Sequence, residues 1–177
     1  MVAAAHDLAS VWATLEGVLD PEVPVLSVVE LGIVRDVGLD ADGHVTVSIT
    51  PTYSGCPALQ VIERDILDAL ARDGWPDARL RTVYSPAWTT EWMGAEARRK
   101  LEAYGIAAPP AHASRDAGSR EAGTDELVPL RRRVAPVACP YCGSHATTMR
   151  SDFGSTACKA LMYCDHCRQP FELFKAI

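Results

Sequence analysis

The chain has 177 residues, 48% of them hydrophobic, a formal net charge of −6 and a mean hydropathy of +0.01. That is enough for one ordinary globular domain, or for a domain of about 100 residues with a small module attached. An acidic balance with a pI near 5.3 argues against a general nucleic-acid or membrane-surface binder, and no apolar run reaches the roughly 18 residues of a membrane span. The start, MVAAAHDLASVW, has neither a basic n-region nor an apolar h-region, so no signal peptide and a cytoplasmic location are expected. In that compartment six cysteines read as metal ligands or catalytic thiols rather than disulfides.

Leu8, Val11, Trp12, Leu15, Val18 and Leu19 fall on one helical face, with Asp7 available as the cap. Asp20-Pro21 stops this helix, and the prolines hold Glu22-Val23-Pro24-Val25 extended or turned. A hairpin follows, with Gly32 to Leu39 as its first strand, Asp40-Ala41-Asp42-Gly43 as its turn, and Val45, Val47 and Ile49 alternating with polar residues in its second. The next helix buries Leu59, Ile62, Ile66 and Leu70 and ends at Gly74. Ala78 to Ser85 reads as a third strand. Pro86-Ala87-Trp88-Thr89-Thr90-Glu91-Trp92-Met93 then leads into a helix ending at Tyr104-Gly105. Trp88 and Trp92, four apart at a helix start, read as core before they read as a recognition surface. The order helix, hairpin, helix, strand, helix predicts a small α/β domain with helices packed on a sheet over residues 1–105.

Between the hairpin and its helix lies Thr50-Pro-Thr-Tyr-Ser-Gly-Cys-Pro-Ala58, a polar turn ending in a thiol. Pro57 suits a first helical position, which would place Cys56 at or next to the N-cap, facing unpaired backbone N–H groups. A thiol so placed is expected to have a lowered pKa and to serve as nucleophile or metal ligand. Gly55 would let the turn run close to whatever Cys56 meets. An inert thiol packed beneath the turn is the other reading.

Residues 106–136, with Pro109-Pro110 and scattered Gly and Ser, lack any apolar period and read as a flexible linker. The Arg131-Arg132-Arg133 run at its end reads as solvated. From residue 137 to 177 the chain carries Cys139-Pro-Tyr-Cys142 and Cys164-Asp-His-Cys167. Two such knuckles aim four thiolates at one point, the pattern of a zinc ribbon with one structural zinc per chain. So small a module draws much of its stability from the metal. Phe171, Leu173 and Phe174 are expected to pack on the ribbon. Cys158 is surplus: a replacement ligand, a second cargo thiol or core. His145 and His166 are weaker ligand candidates beside four well-placed cysteines.

Residues 8–105 resemble the metal–sulfur cluster assembly-factor domain, through Asp20-Pro21-Glu22 with the following Leu31-Gly32, the turn ending in Cys56-Pro57, and Pro86-Ala87-Trp88-Thr89-Thr90. The whole chain is similar to the PaaD family, accessory proteins of the phenylacetyl-CoA epoxidase system that join this domain to a zinc ribbon. The matching stretches are Asp20-Pro-Glu-Val-Pro-Val-Leu26, Thr50 to Ala58, Trp88-Thr-Thr-Glu-Trp-Met93, Cys139-Pro-Tyr-Cys142 and Phe153-Gly-Ser-Thr-Ala-Cys-Lys-Ala-Leu161. Glu30-Leu31-Gly32 stands where related chains often read Asp-Leu-Gly, which keeps the charge. The expected cysteine near the C-terminus is absent from Phe174-Lys175-Ala176-Ile177.

The resemblance implies a maturation factor rather than an enzyme. It would help build or deliver iron or an iron–sulfur cluster to the epoxidase, above all to its iron–sulfur reductase subunit. Cys56 would hold the cargo, and Asp20 and Glu22 would flank it as hard ligands or partner contacts, or simply close their turn. One thiolate is too few for a stable cluster, since four protein ligands are usual; transient holding and a dimer sharing ligands would fit. The alternative is a non-catalytic docking subunit of the oxygenase. In the ribbon, Arg150, Lys159, Arg168 and Lys175 against Asp152, Asp165 and Glu172 leave one net positive charge, too little for nucleic-acid binding.

Overall fold

The first helix, α1 (Leu8–Glu16), buries Val11 and Leu15, and it stops two residues short of the expected Val18-Leu19 edge. Gly17 breaks it; Leu19 instead forms an antiparallel bridge to Ser27 and its side chain stays exposed. The computed structural model describes residues 8–53, 55–109 and 137–175. The expected cap Asp7, residues 110–136 of the stretch 106–136 read as linker, with their three arginines, and the last two residues lie outside this set.

Strands β1 (Val34–Leu39) and β2 (Val45–Ile49) form the antiparallel hairpin. Asp40 Oδ1 accepts the N–H groups of Asp42 and His44, each at 2.9 Å, and so shapes the turn. Helix α2 (Leu59–Arg72) turns Ile62, Ile66, Ala69 and Leu70 to the core and carries the chain back to β3 (Arg79–Thr82), which pairs parallel with β2. A parallel neighbour requires such a crossover, and the sheet runs β1-β2-β3. The expected third strand, Ala78 to Ser85, thus narrows to four residues.

Trp88 is buried as core, and its indole N–H donates to the Leu31 carbonyl at 2.8 Å. Trp92, half-buried, ends a short 3₁₀ turn (Thr90–Trp92) and lies beneath the guanidinium of Arg35. Helix α3 (Ala95–Ala103) follows and ends at Tyr104-Gly105, where Gly105 takes φ +90°.

The second sheet has the order β4-β7-β6-β5, from β4 (Ile106–Ala107), β5 (Thr147–Ser151), β6 (Lys159–Cys164) and β7 (Pro170–Phe174). Ile106 and Ala107, the first residues of the stretch read as linker, are buried and pair parallel with Glu172 and Leu173. Two residues are too few to show a period, so composition hid them. In β7, Phe171 and Leu173 join Ala160, Met162 and Cys164 in the ribbon's apolar cluster. Phe174 does not pack there. Successive side chains of a strand face opposite ways, and Phe174 enters the other core, its ring 6.0 Å from that of Trp88. Among the described residues, no helix is long and apolar enough to cross a membrane.

Candidate functional site

The two cysteine knuckles are near copies of one another. The N–H of Gly143 donates to the Cys139 carbonyl at 2.8 Å, as that of Arg168 does to Cys164 at 2.9 Å. Gly143 and Arg168 both take a left-handed φ, +71° and +62°. These turns bring Cys139, Cys142, Cys164 and Cys167 together, with all four sulfurs within 4.8 Å of one another. Cys139–Cys167 and Cys142–Cys164 are separated by 3.7 and 3.6 Å. A tetrahedron of zinc–sulfur bonds of about 2.3 Å has edges of about 3.8 Å, so the donor set and its spacing fit zinc. Without a cation the thiols compete for protons. The N–H of Cys167 heads the causes that lower Cys164 to about 7, whereas desolvation and the neighbouring sulfurs push Cys167 up to about 12. His145 and His166 are exposed and stand outside this cluster.

The second constellation lies in the α/β layer. Asp20, Glu22 and Cys56 line one small cavity of about 10 Å³, together with Pro51, Thr52 and the apolar side chains of Ile33 and Ile62. Asp20 is buried, and its Oδ1 accepts the N–H groups of Glu22 and Val23, each at 2.8 Å. Burial raises the Asp20 carboxyl above its ordinary pKa despite those bonds and the nearby Lys159 ammonium.

Cys56 departs from expectation in its titration. Helix α2 begins at Leu59 with Ala58 as N-cap, so Cys56 and Pro57 precede the helix by more than the sequence suggests. The N–H groups of Ala58 and Leu59 favour the thiolate, but burial dominates, and Glu22 and Asp20 add like charge. The thiol is raised, not lowered. A Cβ on Gly55 would lie 2.8 Å from the Tyr53 ring, so the turn runs close to that side chain.

The ribbon closes this cavity. Cys158 and Phe174 complete its lining. The Cys158 thiol donates to Glu22 Oε2 at 3.7 Å and lies 3.1 Å from Thr156 Oγ1. Lys159, buried, donates to the Glu22 carbonyl at 3.4 Å and pairs with Glu172 at 3.1 Å. Glu172 also fixes the loop before Cys158, accepting the Ser155 N–H at Oε1 and the Ser155 hydroxyl at Oε2, the latter at 3.2 Å. Sequence reading passes over Lys159 and the placement of Phe174. The one signal is the fixed context around Cys158. It likewise misses the Ser27–Glu30 box, in which the Ser27 N–H donates to Glu30 Oε2 at 3.0 Å and the Glu30 N–H to Ser27 Oγ at 3.1 Å. Lys100 pairs with Glu30 at 2.6 Å, which ties α3 to the loop carrying Leu31-Gly32.

A carboxylate-and-thiol cavity in an α/β layer, joined to a four-thiol ribbon, can be set beside known proteins. Residues 8–86 match the iron–sulfur cluster assembly protein family, and residues 124–175 match the PaaD zinc β-ribbon domain. The chain is thus an iron–sulfur assembly-type domain carrying a metal-binding ribbon. It is 42% identical, over 94% of its own length and 92% of the other's, to an Escherichia coli K12 protein provisionally named as a subunit of 1,2-phenylacetyl-CoA epoxidase. It belongs to the PaaD family. About half of the chain is also similar to iron–sulfur protein maturation auxiliary factors. Identity is 36% to YitW of Bacillus subtilis and 35% to a factor of Porphyromonas gingivalis, over 52% and 49% of this chain and 90% and 83% of theirs.

Proposed function

We propose that this protein is a maturation factor of a phenylacetyl-CoA epoxidase system, holding iron or an iron–sulfur cluster at Cys56 and passing it to the system's iron–sulfur reductase. The observation that carries the reading is the convergence of Cys56, Asp20 and Glu22 on one cavity, within the domain that matches the assembly-protein family. A thiol kept protonated by burial and by two carboxylates must lose its proton to bind metal, which weakens the hold. Weak binding suits a donor that has to release its cargo. Remaining ligands would come from the client, a small thiol or a second copy of the chain. The ribbon's four thiolates leave no open position, so one zinc per chain there would be structural rather than catalytic. The chain would act in the cytoplasm, as an assembly factor and not as an enzyme.

One observation favours a second reading, a non-catalytic docking subunit: Cys56 is half-buried beneath the ribbon. The deciding experiment co-expresses the epoxidase components with wild-type or Cys56→Ser protein, then measures the reductase's iron and sulfide content and epoxidase activity. Loss of both with the variant supports delivery through Cys56. Unchanged cluster content and activity would refute it and leave the docking subunit.

A further inference from the structure

The ribbon's second knuckle doubles as the turn of a hairpin. Strand β6 ends in Cys164, β7 begins at Pro170, and between them the Cys164 N–H donates to the Gln169 carbonyl at 3.0 Å. At the open end of the same hairpin Lys159 stands opposite Phe174, with Cys158 just before it. All three are buried and reach the α/β layer: Phe174 meets Trp88, Cys158 donates to the Glu22 carboxylate and Lys159 to the Glu22 carbonyl. Cys158 and Phe174 thereby close the cavity that Cys56 lines.

We propose that the Cys158–Lys159 end of β6 is a removable cover over Cys56, latched by the Lys159 ammonium and held in register by the four-thiol knuckles at the other end of the hairpin. The inference rests on Cys56 as the cargo thiol and deepens that reading by naming what regulates access to it. A turn sets the register of its hairpin, and a slip of one residue sends every side chain to the opposite face. Order at Cys164 therefore decides, from about 17 Å along the strand, whether Lys159 faces the seam. The two strands are held unequally. Pairing of β7 with β4 and the contact of Phe174 with Trp88 do not involve the knuckles. Strand β6 lies between β5 and β7, both bounded by knuckle residues, so its Lys159 end is the part that loosens when the knuckles do.

Lys159 is the buried cation of this seam. Glu172 of the ribbon pairs with it at 3.1 Å, and Asp20 of the α/β layer feels its charge. Removing the ammonium would leave carboxylates on both sides without compensation, a costly arrangement in a buried setting. Its bond to the Glu22 carbonyl, at 3.4 Å, is longer than the usual value of about 2.9 Å, as suits a contact that has to part. Cys142 is the exposed member of the thiol cluster, so a chelator or a competing thiol can reach the knuckles while the cover is closed.

The test alkylates full-length protein with iodoacetamide at fixed pH and follows Cys56 and Cys158 separately by peptide mass spectrometry. Hydrogen exchange of α2 amides is measured alongside. Removing zinc from wild type with a strong chelator should raise labelling of both thiols by about tenfold or more, as expected when buried charged contacts are lost from a two-state opening. Zinc returned to an unlabelled portion should restore the slow rate, with α2 protected throughout. This arm needs no variant and decides by itself. Zinc-loaded Lys159→Met should show the same rise with its zinc content unchanged. The direction matters: Lys159 favours the Cys158 thiolate, so losing its charge with the cover still seated would slow labelling of Cys158. Equal rates with and without zinc, slower labelling of Cys158 in Lys159→Met, or a rise accompanied by loss of α2 protection would each overturn the cover. None of these bears on whether Cys56 carries cargo, which the co-expression of Cys56→Ser decides.

Discussion

Replacing Phe174 by alanine tests the contact that seats the ribbon on the α/β layer. The phenylalanine is 1% exposed, packs on Trp88 and lines the Cys56 cavity. Burying about 200 Å² of aromatic surface is worth about 5 kcal/mol, or about 3–4 kcal/mol once partial collapse of the unfolded chain is allowed for. Phenylalanine-to-alanine changes in cores cost about 3–5 kcal/mol, in agreement. With a urea m-value of about 2 kcal/mol/M, the midpoint should fall by about 1.5–2 M. The assay is urea unfolding of zinc-loaded protein followed by tryptophan emission, with zinc content and thiol reactivity measured in native buffer. Zinc should be retained, because Phe174 lies outside the ribbon's own cluster, and Cys56 and Cys158 should react faster with a thiol reagent. A midpoint shift below about 0.5 M with unchanged thiol reactivity would refute the packing argument.

Three further outcomes follow from the same geometry. Asp20→Asn keeps an oxygen for the Glu22 and Val23 N–H groups but removes a carboxylate whose folded-state pKa is raised by burial. An ionised acid with a raised folded pKa destabilises the fold above that pKa, so the variant should be the more stable at pH 7. Its advantage should shrink as pH falls through the raised value towards the ordinary one, as denaturation midpoints at several pH values would record. Gly32 holds φ +70°, and a Cβ added there would lie only 2.9 Å from Trp92 Cβ, so Gly32→Ala should cost about 1–3 kcal/mol from backbone strain alone, measured by chemical denaturation. Removing zinc with a strong chelator, or Cys139→Ser, should abolish the ribbon's protection from proteolysis while residues of α1 and α2 stay protected; equal protection with and without metal would contradict a metal-stabilised ribbon.

The sequence is most legible where structure is local. Helical spacing locates the buried face of α2 although the helix starts two residues later than Pro57 suggests, alternation finds the hairpin, and Gly74 and Gly105 mark two helix ends with positive φ. The cysteine spacing places four thiols together because each knuckle is closed by its own backbone bonds. What escapes depends on contacts between distant segments. Cys158 meets Glu22 across 136 residues, and no periodicity encodes such a meeting. Composition groups Phe174 with Phe171 and Leu173 on the ribbon, although strand alternation alone separates it from them. The expected activation of Cys56 fails because a helix N-terminus is a modest influence beside burial and two nearby carboxylates.

The small strand β4 has a consequence for how this protein can be divided. Its two residues are encoded directly after α3, yet they form one edge of the ribbon's sheet by pairing with Glu172 and Leu173. A fragment beginning at residue 137 would carry all four clustered cysteines and still expose the β7 edge that β4 covers. The covalent seam between the two halves and the physical seam therefore fall at different places. Any graft of this ribbon onto another carrier would have to bring a strand from the host side of the junction.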